Sequence, residues 1–323
     1  MTLYEAISVR VSTRSFDGAQ LTPEQLVDLR DLCRQLEEES TQDSPFGNKV
    51  RLAVAGAEIG SAPVRMGTYG LIANASGFVV PAVARAGKLA GNMEDVGWTV
   101  EKLVLELTAR GYATCWIGGV FSRSRAAEVV QAKEDELVPA IIAFGWPADR
   151  RKLADRVVTA SARARSRKPI EEIAFDLAAD HSYDASSGLL RGVPGGRFDE
   201  PWLAVLRAVQ EAPSASNKQP WRLVRIPSGK ALGIEPLAAE WMLFLDEDKI
   251  YNNGTREVHL QNLDLGIAMR HFQIAAEEKG LAGRWIPINR LSSGSKDSKD
   301  RAGLKAALDF GQARGWTACA LWS

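Results

Sequence analysis

Four stretches concentrate side chains that could do chemistry. RVSTRSF, Arg10 to Phe16, carries two guanidinium groups and a hydroxyl in Arg10, Ser12 and Arg14. Read as part of an N-terminal helix, it gathers all three within about one and a half turns. Arginine suits bidentate recognition of phosphate and the hydroxyl adds a neutral donor, although the same residues would serve an ordinary solvated helix end. APSASNKQPWRLV, Ala212 to Val224, sets Ser214, Ser216, Asn217 and Gln219 between Pro213 and Pro220, which fix the backbone on either side. Such a loop can meet the donor and acceptor edge of a planar ring or a polyol chain, or simply cap a helix and turn into a strand. In CWIGGVF, Cys115 to Phe121, Gly118 and Gly119 permit close approach of a ligand to backbone amides. RSRKPIEEIAF, Arg165 to Phe175, brings Arg167 and Lys168 to the start of a helix, as a charged linker or as a further phosphate contact.

What is missing narrows the field. No GxGxxG opens a helix after a strand and no GxxxxGK[ST] occurs, so neither a dinucleotide fold nor a P-loop is expected. Three histidines form no HExxH and three cysteines no CxxC, which leaves a metal site without its usual ligand spacing. No Ser/His/Asp set is spaced recognisably. Forty basic against 40 acidic residues cancel, which argues against a nucleic-acid binder. With 46% hydrophobic and 25% charged residues the chain is of globular type, excluding disorder and collagen. No apolar run approaches the roughly 20 residues of a membrane span. The start, MTLYEAISVRVSTRSF, lacks the apolar centre of a signal peptide. The expectation is a reduced, cytoplasmic protein with no membrane or nucleic-acid partner.

The elements that must position these residues repeat. EDVGWTVEKLVLELTARGYATCWI, Glu94 to Ile117, aligns without gaps to LDLGIAMRHFQIAAEEKGLAGRWI, Leu263 to Ile286. The differences 266 − 97, 280 − 111 and 285 − 116 all equal 169, pairing Gly97 with Gly266, Gly111 with Gly280 and Trp116 with Trp285. Asp95/Asp264 and Asn48/Asn217 keep the same offset. This reads as two copies of one fold, residues 1–180 and 181–323, joined through the Ser- and Gly-rich stretch Asp180 to Asp199. Each copy should hold a long amphipathic helix, marked by Val100, Leu103 and Leu107 before Gly111, and by Leu265, Met269, Phe272 and Ala276 before Gly280. Strands are expected at Val50–Val54, Gly77–Val83 and Ala140–Gly145, then at Trp221–Ile226, Trp241–Asp246 and Thr317–Trp322. Some connections are too short for parallel crossovers, so a mixed sheet is expected. The run SSGSKDSKDR from Ser292 reads as a solvated loop.

Taken together, RxSxRxF, PSxSNxQPW, WxGGxF and RKPxEE resemble the flavin-dependent nitroreductase family, over most of the chain. The resemblance implies an α+β, three-layer α/β/α fold with a mixed or antiparallel sheet, present twice as a fused pseudo-dimer. It implies FMN at the interface of the two halves, NAD(P)H as electron donor, and a small-molecule acceptor such as a nitroaromatic or quinone. By family precedent Arg10, Ser12 and Arg14 take the FMN phosphate and pyrimidine edge. Gly118 and Gly119 face the flavin O4/N5 edge, Arg167 or Lys168 completes the phosphate site, and Pro213, Ser214, Ser216 and Asn217 arrive from the other half. A monomer is implied, because the family's dimer partner is already in the chain.

Departures from the family pattern are complementary. The first copy has SPFGNKVR, Ser44 to Arg51, where PSxSNxQPW should stand. The second has no RxSxR before Trp202, and Pro287 and Ile288 replace the glycine pair, Pro287 removing an amide donor. One complete set of contacts remains, hence one flavin. The alternatives are a flavin-binding or sensing protein without catalysis, or a different flavin reaction on the same fold.

Overall fold

The computed structural model describes residues 1–56, 59, 62–86, 90–148, 166–177, 183–184, 189–190, 193–194, 198–226, 240–249, 257–293 and 301–323. The expected boundary at residue 180 and most of the Ser292 run lie outside these residues. Two compact units form: Met1–Ser166 with Ala215–Asn217 and Thr255–Arg270, and Arg167–Ser214 with Lys218–Gly254 and His271–Ser323.

The first unit is built on an antiparallel sheet. Its strands β1 (Arg51–Gly56), β2 (Gly77–Ala84), β3 (Ala113–Ile117) and β5 (Ile141–Gly145) lie in the order β1-β2-β5-β3, with the short β4 (Glu136–Leu137) beside β2. Strand alternation sends Phe78, Val80 and Ala82 to one face, where they pack with Ala126 and Val130 of α4 (Arg123–Val130). Val79, Val83, Ile142 and Phe144 are buried on the opposite face, and α2 (Pro23–Asp43) and α3 (Asn92–Ala109) also pack on the sheet. The preceding α1 (Leu3–Val9) packs on α3.

Local chemistry accounts for these helices. Thr22 opens α2: its Oγ accepts from the Gln25 amide at 3.2 Å while Gln25 Oε1 accepts from the Thr22 amide at 2.9 Å. No helix was expected here from apolar spacing, although Thr-Pro-Glu-Gln is a helix start. Gly111 ends α3 with φ +90°, as its sequence position suggested. The expectation of an amphipathic helix is corrected: every residue from Asn92 to Glu101 is buried, including Glu94, Asp95 and Glu101. The cause is a close crossing with the first part of α7 (Leu260–Glu278). A side chain on Gly97 would collide with the Leu263 carbonyl, and one on Gly266 with the Glu94 carbonyl. Asn262 Nδ2 donates to Glu94 Oε1 at 2.7 Å across the same crossing.

The second unit has its own sheet, ordered β12-β13-β11-β10-β6-β9: β12 (Trp285–Pro287), β13 (Thr317–Trp322), β11 (Trp241–Leu245), β10 (Trp221–Arg225), β6 (Ala174–Asp176) and β9 (Val193–Pro194). Among the described residues of this sheet only β6 on β10 is parallel, so the mixed sheet is found here. Helix α5 (Ile170–Ile173) leads into β6, while the pair β7 (Tyr183–Asp184) and β8 (Leu189–Leu190) stands apart. Val224, Met242, Phe244 and Leu321 pack with Ala307 and Phe310 of α8 (Arg301–Gln312). Trp241 stacks obliquely on Trp202 of α6 (Glu200–Gln210), with centroids 5.4 Å apart, and Phe272 of α7 lies 4.9 Å from Trp285. The strand sequence β1-β2-β5-β3 of the first unit has the order and antiparallel sense of β10-β11-β13-β12 in the second.

Candidate functional site

The stretch Arg10–Phe16 is extended rather than helical, which corrects the reading of RVSTRSF as a helix. Helix α1 stops at Val9, and Arg10 takes φ −61°, ψ 126°. The strand-like backbone then pairs at Ser12 with Thr114 and at Ser15 with Ala73, and the Thr13 amide donates to the Thr114 carbonyl at 2.8 Å. The β-branched Val11 and Thr13 favour this form. In an extended chain alternate residues share a face, so Arg10, Ser12 and Arg14 line one side of the segment. The spacing RxSxR therefore serves a strand better than a helix.

That side runs along β3, which leads directly into Gly118-Gly119. Arg10 is buried, with Nη1 donating to Ser12 Oγ at 3.4 Å and Nε lying 3.9 Å from Glu101 Oε1. Arg14 and Ser12 are exposed. Burial pushes the Cys115 thiol upward in pKa, and the charges of Arg14 and Arg10 oppose that rise, which places both arginines beside β3. At the end of β3, a side chain on Gly118 would press on Leu260, whereas one on Gly119 would meet nothing within 4 Å. Gly118 thus makes room for α7, and Gly119 presents bare backbone to open space. Arg123 supports the turn from behind, donating to the Gly118 carbonyl at 3.4 Å and the Val138 carbonyl at 2.8 Å.

The polar loop is divided between the two units, and each part is held by bonds within its own unit. In the first unit, Asp264 of α7 takes the Ala215 amide at 2.9 and 3.1 Å, and Asn217 Nδ2 donates to the Ser166 carbonyl at 2.8 Å. Ser216 and Asn217 adopt positive φ, +50° and +55°, conformations rarely held without surrounding constraint. In the second unit Ser214 Oγ accepts from the Gln219 amide at 2.9 Å, and Gln219 Oε1 accepts from the Lys168 amide at 2.8 Å. Burial depresses the Lys168 pKa, with Arg222 adding to the effect. Arg167 donates to the Glu211 carbonyl at 3.3 Å. Pro213 is buried where α6 gives way to the loop. In the first unit Arg10, Ser12, Arg14, Gly118 and Gly119 lie along β3, while Ser216 and Asn217 lie in the loop segment held by Asp264 and Ser166; Arg167, Lys168, Pro213 and Ser214 belong to the second unit.

The aspartate under the loop has a counterpart. Asp95 accepts from the Phe46 amide at 3.0 Å and from Asn48 N and Nδ2 at 2.8 and 2.9 Å. The offsets 215 − 46 and 264 − 95 are both 169, so Phe46-to-Asp95 and Ala215-to-Asp264 are the same contact in the repeat. Burial pushes Asp95 up to about 6 and Asp264 well above the usual carboxylate range, in each case against the amide donors. Residue types alone did not mark Glu101 or Arg123 as site residues. For the aspartates the repeat was the available signal. Among the described residues no group of His, Cys, Asp and Glu could hold a metal ion, and no helix is long and apolar enough to cross a membrane.

The helices and sheets are those of a nitroreductase-like α+β fold. Nearly the whole chain, 99%, is similar to 93% of a structure described as a "putative nitroreductase" from Thermotoga maritima MSB8, with 18% identity and a TM-score of 0.52. The pattern of the family described as "Putative TM nitroreductase" matches residues 2–276, and the chain belongs to this family of oxidoreductases. A structure described as a "putative nitroreductase" from Ralstonia eutropha JMP134 matches 46% of this chain and 84% of its own, at 22% identity and TM-score 0.37. A variant of an FMN and NADPH-dependent nitroreductase from Sphigopyxis sp. strain HMH matches 46% of this chain and 88% of its own, at 13% identity and TM-score 0.33. A search of curated proteins finds no match to the sequence.

Proposed function

We propose that the chain is an FMN-dependent oxidoreductase that passes electrons from NAD(P)H to a nitroaromatic, quinone or similar electron-poor small molecule. The observation that carries this reading is the extended Arg10–Arg14 segment bonded to the strand that ends in Gly118-Gly119. It sets a buried guanidinium, a hydroxyl and a second guanidinium on one face, beside a glycine backbone with open space before it. The donor set suits a mononucleotide: Arg10 and Ser12 would hold the phosphate, with Arg167 or Lys168 completing its shell. Arg14 would meet the pyrimidine edge, where positive charge favours a reduced flavin anion. The Gly118 and Gly119 amides would face the O4/N5 edge, and Pro213, Ser214, Ser216 and Asn217 would supply the remaining contacts. A bound flavin would supply the hydride and electron transfer. The chain's residues bind and orient it.

We further infer that the chain is a duplicated pseudo-dimer with one FMN site. The common offset of 169 in Phe46/Asp95 and Ala215/Asp264, the reciprocal Gly97 and Gly266 contacts, and the matching strand orders support this. The test is direct. Purified protein should be yellow, release FMN on heating, and oxidise NAD(P)H when given a nitroaromatic or quinone. Released FAD, or a chain that stays colourless in excess FMN, would refute the cofactor. Bound FMN without turnover would leave the non-catalytic alternative.

A further inference from the structure

Glu101 is fully buried in α3, where a carboxylate without a task would be costly. It accepts from Trp116 Nε1 at 2.7 Å and lies 3.9 Å from Arg10 Nε, which has no hydrogen-bond partner. Placed on the Nε side, the carboxylate balances the buried guanidinium while Nη1, at its terminal edge, donates to the exposed Ser12. That is the edge arginine uses for bidentate contact with an oxyanion.

The repeat shows that the helix itself does not require this carboxylate. Since 270 − 101 is 169, the equivalent residue of α7 is Arg270, of opposite charge. Arg270 is also buried, donating to the Trp98 carbonyl at 2.9 Å and to Glu39 Oε1 at 2.9 Å, with its guanidinium carbon 3.2 Å from the centroid of the Trp98 ring. The fold thus accepts either charge at this position once a partner is supplied. The tryptophan is common to both copies, Trp116 and Trp285, and in the first copy it donates to Glu101, which also faces Arg10.

We propose that Glu101 is the positioning residue for Arg10, holding its guanidinium ready for the phosphate of the mononucleotide. This rests on the FMN reading above. Glu101→Gln separates the possible roles, because the amide oxygen still accepts from Trp116 Nε1 while the charge facing Arg10 is lost. A buried guanidinium without its counter-charge is unfavourable, so Arg10 should leave its place. FMN and riboflavin, which lacks the phosphate, are titrated in turn into the full-length apo-chain and followed by flavin fluorescence. For Glu101→Gln, FMN affinity should fall about tenfold, the scale of one charge-assisted contact, with riboflavin affinity unchanged. In the Arg10→Gln background, where no guanidinium is left for Glu101 to position, adding Glu101→Gln should lower FMN affinity no further. That neutral pair also keeps the test open if Glu101→Gln alone folds poorly, since its FMN affinity should equal that of Arg10→Gln. Glu101→Gln with wild-type or tighter FMN binding, equal losses for FMN and riboflavin, or an added loss in the Arg10→Gln background would overturn the proposal. A wild-type chain that binds FMN no better than riboflavin would overturn it as well. A wild-type chain that takes up neither flavin would remove the FMN reading itself.

Discussion

At the scale of the residue, the site is a matter of charges placed where water cannot screen them. Arg10 is buried beside Glu101 and donates to the exposed Ser12, the arrangement proposed above to receive a phosphate. Arg10→Ala should weaken FMN binding by about 10- to 100-fold, on the order of 1.5–3 kcal/mol for a charge-assisted hydrogen bond. Arg34→Ala, on an arginine largely exposed on α2, should leave affinity unchanged, and equal losses in the two would mean that Arg10 makes no specific contact with the flavin. Asp95 makes a prediction about pH. Its pKa is pushed up to about 6, above the 3.8 of the unperturbed group, so the folded chain binds the extra proton between those values. Stability from this group is therefore present at low pH and is lost as pH rises through 6. Asparagine does not titrate, so the stability of wild type relative to Asp95→Asn should be greater at pH 5 than at pH 7 by about 1 kcal/mol. Urea unfolding at both values measures it, and a pH-independent difference would mean that the carboxylate is ionised throughout.

At the scale of the element, the crossing of α3 and α7 organises the first unit. Gly97 and Gly266 each face a backbone carbonyl of the other helix, which leaves no room for a methyl group. Gly97→Ala should cost about 3 kcal/mol or more through overpacking against backbone that cannot yield. Gly111→Ala, at φ +90° with nothing nearby, should cost only about 1 kcal/mol from the left-handed conformation. Denaturation midpoints distinguish them, and similar small losses would mean that the helices can part. These two helices were legible because glycine stops and a common offset mark them. Five of the six expected strands differ from those found by one or two residues at their ends, and Thr317–Trp322 matches. Helix α2 escaped notice because its polar residues dilute the apolar spacing of Leu26, Leu29, Leu32 and Leu36. Arg10–Phe16 was misread for another reason: its extended form depends on pairing with Thr114 and Ala73, which are distant in sequence. Glu101 was invisible because sequence does not distinguish a buried glutamate from a solvated one.

At the scale of the molecule, the proposed duplication would let one chain supply both halves of the flavin site. The compact first unit draws Thr255–Arg270 from late in the sequence, so cutting between residues 180 and 181 removes half of the α3–α7 crossing. Fragments 1–180 and 181–323 should therefore be flavin-free and poorly soluble, with the apolar faces of α3 and α7 uncovered. The intact chain should sediment as a monomer near 35.1 kDa, and a concentration-independent dimer would show that a further surface is used. The most direct measurement is a titration of the apo-chain with FMN at a protein concentration well above the dissociation constant, read by quenching of flavin fluorescence. The break should fall at one FMN per chain, because Arg270 and Pro287 stand where a second site would need a carboxylate and an amide donor. A break at two, or no binding, would contradict a single flavin site in a duplicated chain.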